Sequence, residues 1–173
     1  MKIRRAFWFL QMLVAVATAT GAPEIRIGLV ARVGLPTDLP LYAEESANFY
    51  GTNMYLFQGR MLRKRAETEV GHALPSTLKF VAARVPNTAI ITVTATGADE
   101  SVALPFLSAV VNQFILFKRE QKKQYYREAI MRVEAALQSA PPEAAPQIEK
   151  YKTQLLVASL LDTESDFRRL EEN

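Results

Sequence analysis

Between Val85 and Leu137 the chain reads as one β-strand that turns directly into one very long, unusually polar helix. The strand, Asn87 to Thr96, is dense in β-branched residues, and Gly97-Ala98-Asp99-Glu100 makes the turn. The helix follows from about Ser101 to Leu137, with Pro105 as its one breaker. A helix of about 35 residues spans roughly 50 Å at 1.5 Å per residue. A domain of 173 residues cannot cover that length, so part of the helix must project. Asp99 is placed as its N-cap, Glu100 favours the positive end of its dipole, and Pro105 predicts a kink or a one-turn pre-helix.

The N-terminus sets the compartment. Lys2, Arg4 and Arg5 precede an apolar run from Ala6 to Ala19, the pattern of a secretory signal or a membrane anchor. With Thr18, Thr20 and Gly21 included, the run approaches the roughly 20 residues that a span needs. Ala17-Thr18-Ala19 offers a small-x-small cleavage pattern, while Pro23 disfavours a cut after Ala22. A retained anchor is the preferred reading and a cleaved signal the alternative. Either way the positive flank stays in the cytoplasm and the bulk is exported.

Three regions follow: a membrane anchor or signal segment over 1–22, a sheet-containing base over 23–105, and a long helix with its return helix over 106–173. In the base, Ile25, Ile27, Leu29, Ala31 and Val33 alternate with Arg26, Gly28, Val30 and Arg32, as in a half-buried strand. Gly34, Pro36, Asp38 and Pro40 end it in a loop. Asn48 to Val70 has helical spacing, interrupted by Gly51 and Gly59. Leu78 to Val85 is a short strand or an approach to the main one. In that main strand Ala89, Ile91, Val93 and Ala95 share one face, and Thr88, Ile90, Thr92, Thr94 and Thr96 the other. The fold class expected is α+β.

Along the long helix the first half, Phe106 to Phe117, is apolar enough to pack on a sheet, and the stretch from Lys118 to Arg127 is polar. Ala129, Ile130, Val133, Ala136 and Leu137 then restore an amphipathic face. Ser139 to Pro146 is a proline-rich break, with Pro146 suited to open a new helix. Ile148, Tyr151, Leu155, Ala158 or Ser159, and then Phe167 and Leu170 would give the return helix its seam, making an antiparallel hairpin.

Chemistry-bearing patterns are few. Cysteine is absent, which removes disulfides, thiolate metal sites and thiol nucleophiles, and His72 is the single histidine, read as a loop residue. No phosphate-binding loop, nucleophile elbow or zinc-protease motif occurs, so no catalytic residue, metal or cofactor is expected. Asp162-Thr163-Glu164-Ser165-Asp166 opens like a calcium loop but has Phe167 where glycine is required, and reads as surface helix. Glu44 and Glu45 read as a cap or solvated charge. Lys118, Arg119, Lys122, Lys123, Tyr125 and Tyr126 are the candidate binding residues, the cations for an anionic polymer and the rings for stacking on sugars. The plainer reading is a solvated helix face partly neutralised by Glu120 and Glu128. Nucleic acid is not expected as a partner, since its binding needs a basic face plus an entering element and the exported placement argues against it.

The order of these elements, with Val85-Pro86-Asn87-Thr88-Ala89-Ile90-Ile91-Thr92-Val93-Thr94-Ala95 at its centre, resembles the polysaccharide co-polymerase family, the Wzz-type chain-length determinants of bacterial envelopes. Asp99, Val102-Ala103, Ser108-Ala109 and Asn112 approximate the family's pattern after the strand, and Tyr55 to Leu62 resembles its first-helix segment, with Gly59-Arg60 where a Ser-Arg pair is common. The likeness spans about residues 6 to 137. Asp99-Glu100 replaces the usual Asp-Pro, and no second membrane run follows the hairpin, so the expectation is a truncated or divergent member. The resemblance implies a non-enzymatic homo-oligomer in the bacterial inner membrane with its bulk in the periplasm. Its partners would be a polysaccharide polymerase or exporter, the lipid bilayer and an anionic polysaccharide. Phe114, Phe117, Tyr125 and Tyr126 are expected to serve helix association. The rival expectation is a cleaved, secreted binding domain that presents a helical hairpin to one protein partner.

Overall fold

The computed structural model describes residues 24–31, 49–161, 165 and 167–170. Among them are four strands and four helices in the order β1 (Ile25–Ala31), α1 (Phe49–Leu56), α2 (Arg60–Val70), β2 (Lys79–Arg84), β3 (Ile90–Thr96), α3 (Glu100–Gln138), α4 (Ala145–Leu161) and β4 (Phe167–Arg169). The class is α+β, with a small antiparallel sheet and one dominant helix. The expected segment over 1–22, the loop after β1, and Glu44 and Glu45 lie outside the described residues.

The sheet order is β2-β3-β1-β4, and every neighbouring pair is antiparallel. Each helical crossover therefore joins two parallel strands with a third strand between them: β1 to β2 across β3, and β3 to β4 across β1. Two such interleaved split βαβ units are the ferredoxin-like connectivity. Its two central strands, β1 and β3, alternate cleanly. Ile27, Leu29 and Ala31 of β1 and Ile91, Val93 and Ala95 of β3 are buried against the helices. Arg26 on the opposite face is exposed, and Thr92, Thr94 and Thr96 are half-buried. Register follows, with Ile27 facing Val93 and Leu29 facing Ile91.

Four local expectations are corrected. The central strand begins at Ile90 rather than Asn87. Val85 to Thr88 forms a turn in which the Thr88 N–H donates to the Val85 carbonyl at 3.2 Å and Asn87 takes φ 59°. Proline followed by a residue at positive φ is type II turn chemistry. The helix expected over Asn48 to Val70 is broken at Gly59, which caps α2 in an extended conformation. That break swings Phe57 into the core, where its ring lies 4.5 Å from Phe114. Of the kink or one-turn pre-helix expected at Pro105, the separate pre-helix does not form, since α3 runs through the proline. Burial of Ala103, Phe106 and Leu107 on the sheet outweighs one missing backbone bond. Finally, Phe167 is not on the return helix: it sits in β4, pairs with Ala31 and is buried in the sheet core with Phe49 and Phe114.

The sheet and helix regions divided on the sequence at 105/106 share one core. Phe106, Leu107, Val110, Val111 and Phe114 are fully buried with the strand residues. A seven-residue strand is about 23 Å long, which some 16 residues of helix match. Beyond Phe117 the helix α3 has therefore outrun the sheet, and it packs instead on α4, in a second cluster around Tyr126, Leu155 and Ala158. Because Ile25 faces Ala95 and α3 starts just after Thr96, the hairpin rises from the end of the sheet opposite Ile25. α3 is also, among the described residues, the one helix long and apolar enough to cross a membrane by length and composition. Its apolar half is occupied by the sheet.

Candidate functional site

The candidate surface lies where α3 leaves the sheet. There α2 packs along α3 through a polar seam. Gln113 Nε2 donates to Glu69 Oε2 at 2.8 Å, Asn112 Nδ2 to Glu69 Oε1 at 3.3 Å, and Arg65 pairs with Glu120 at 3.0 Å. The Arg65 guanidinium also sits 5.7 Å from the Phe117 ring centroid. Past this seam α4 takes over, with Lys152 Nζ 2.7 Å from Glu134 Oε1 and Tyr151 packed against the cluster of Tyr126, Leu155 and Ala158.

Helical phase sorts the expected binding residues into two groups. Phe114, Lys118, Lys122 and Tyr126 recur every four residues and continue the buried stripe of the first half of α3. Lys118 is 0% exposed, Lys122 and Tyr126 are almost as deep, and all three are engaged with the rest of the molecule. Tyr125 is half-buried and meets Tyr126 edge to face at 5.7 Å. The expectation that Lys118, Lys122 and Tyr126 are presented to a polymer or partner is thus corrected. Their four-residue phase points them inward, and lysine can bury its stem among apolar neighbours. Arg119 and Lys123 are exposed, one step round the helix.

The aromatic residues expected to serve helix association fare similarly. Phe114 is fully buried among Phe57 and Phe167, and Phe117 is half-buried against the base. They belong to the fold's own core. Most of the apolar surface that the hairpin leaves open lies on α4, with Val157 at 49%, Leu160 at 75% and Leu161 at 68% exposed beside Leu156; Met131 adds to it from α3. Counting apolar residues without phase missed it. The signal available was the charge-free run Thr153 to Leu161, which is apolar on more than one face.

An open groove of about 380 Å³ separates α3 from α4, lined by Lys123, Tyr126, Arg127, Ile130, Met131 and Ser159. A second open groove of about 700 Å³ follows the α2–α3 seam at Arg65, Glu69, Asn112 and Leu116. Neither gathers an acid–base pair or a nucleophile with its base. Among the described residues no three histidine or carboxylate side chains come together as metal ligands would. His72 is an exposed residue whose ring edge meets Phe106 at 5.0 Å, and it lines neither groove. The arrangement suits recognition: separate cationic and apolar surfaces on a projecting hairpin. No family model, no curated protein and no solved structure matches the chain.

Proposed function

We propose that the chain is a membrane-anchored, exported scaffold, resembling the chain-length determinants, whose copies associate through the hairpin and modulate polysaccharide length or export without bond chemistry. The observation that carries this reading is the exposed apolar face of α4, Val157, Leu160 and Leu161, on a hairpin rising from the sheet end opposite Ile25. A basic flank and an apolar run end just before Glu24. An anchor there would hold the Ile25 end of the sheet at the bilayer and lift the hairpin away from it. An apolar helix face at that height is out of reach of lipid and is covered by protein, and a second copy is always at hand. Export places the bulk in the periplasm of a bacterial inner-membrane protein, beside a polymerase or exporter.

The test is genetic and chemical together. Deleting the gene in its own host shifts the length distribution of a surface polysaccharide on a gel. The wild-type chain restores that distribution, and a chain carrying Leu160→Glu and Leu161→Glu does not. An unchanged distribution after deletion, for every surface polymer the host makes, contradicts the proposal.

A further inference from the structure

We propose that Arg119, Lys123 and Arg127 form a linear anion-binding stripe on α3 whose ligand is an acidic glycan, a polymer bearing carboxylates on its sugar residues. The three cations are spaced by four residues, so each lies about 6 Å along the axis from the last, winding slowly round the helix. All three are exposed. Like charges at this spacing repel and weaken a helix unless acids stand in register with them.

Here the nearby acids are committed elsewhere. Glu120 pairs with Arg65 at 3.0 Å. Glu128 accepts from Gln124 Nε2 at 2.9 Å and faces Arg132 at 3.9 Å. Glu134 holds Lys152. Among the described residues no carboxylate pairs with Arg119, Lys123 or Arg127. Three uncompensated cations in a row are a surface awaiting an external anion.

The neighbouring groove indicates which anion. Lys123 and Arg127 stand on its wall with Ile130 and Met131, and Met131 is 61% exposed. An acidic sugar offers both partners at once, a carboxylate for the cations and a C–H ring face for the apolar wall. An isolated phosphate would use only the first. A lipid headgroup surface would be held at the Ile25 end of the sheet, away from this stripe. The glycan class rests on the exported placement proposed above.

The test uses the purified full chain in detergent, with labelled oligogalacturonate as probe, neutral dextran and polyglutamate as comparisons, and phosphatidylglycerol vesicles for the lipid surface. Binding to oligogalacturonate is expected, falling as salt rises, with dextran inert and polyglutamate and vesicles at least tenfold weaker. The triple variant Arg119→Gln, Lys123→Gln, Arg127→Gln should lose at least tenfold in affinity with an unchanged circular dichroism spectrum. Arg60→Gln, Lys64→Gln, Lys150→Gln removes the same charge elsewhere and should stay within twofold. Equal losses in the two triples, equal binding of polyglutamate or vesicles, or no binding of oligogalacturonate would each overturn the proposal. Oligomeric state, read on the same sample, separates this from the scaffold reading: a monomer that binds removes the scaffold and leaves the stripe.

Discussion

Lys118 and Arg119 are adjacent basic residues with opposite fates, and the difference is one step of helical phase. Lys118 is 0% exposed and Arg119 faces water. Replacing Lys118 with alanine removes a buried aliphatic stem and breaks its engagement, an expected loss of about 2 kcal/mol in urea denaturation. Arg119→Ala should stay within about 0.5 kcal/mol. Equal effects would mean that the inward stripe has been misassigned. Two glycines give a second contrast at this scale. Gly71 caps α2 at φ 86° with open space around it, so Gly71→Ala should cost about 1 kcal/mol. Gly97 turns the chain at φ 93°, and a Cβ there would overlap the Thr77 carbonyl oxygen, so Gly97→Ala should cost about 3 kcal/mol or more. Thermal melts of the two variants check the order.

Among the elements, α3 does two jobs in sequence: its first half is the core helix of a split βαβ sheet, and its second is one arm of a hairpin. The halves differ in what supports them. Among the described residues the first half belongs to a core of nineteen buried apolar residues, and the second to a cluster of only three, Tyr126, Leu155 and Ala158. Amide exchange in α3 should therefore be slow from Phe106 to Phe114 and faster by tenfold or more beyond Ala129. Uniform protection along the helix would contradict this division. Pro105 leaves the Ser101 carbonyl without its helical donor, so Pro105→Ala should stabilise the chain by about 1 kcal/mol or more. A lower melting temperature would show that the proline is needed for the approach to the sheet.

Legibility also varied by element. β1 and β3 were readable because a two-residue alternation depends only on which face meets the helices, as Leu29 and Ile91 do. β4 was not readable. Phe167-Arg168-Arg169 has no alternation of its own and is a strand because β1, far away in the sequence, offers it an edge. At the candidate site the same limit holds. The run from Lys118 to Arg127 looked uniformly polar, and only its phase, continued in steps of four from Phe114, shows that Lys118, Lys122 and Tyr126 turn inward.

For the whole molecule, a helical sheet layer and a second, thinly packed hairpin layer share one 39-residue helix. Such a hairpin gains most of its stability by pairing, and on the proposed reading the partner is another copy. The most direct measurement is the mass of the full chain in detergent, by light scattering over a hundredfold range of concentration, beside that of Leu160→Glu, Leu161→Glu. The account predicts a wild-type oligomer of fixed stoichiometry, and a double variant that is monomeric with unchanged helix content. A wild-type chain that stays monomeric throughout, or a double variant that assembles as the wild type does, would contradict it.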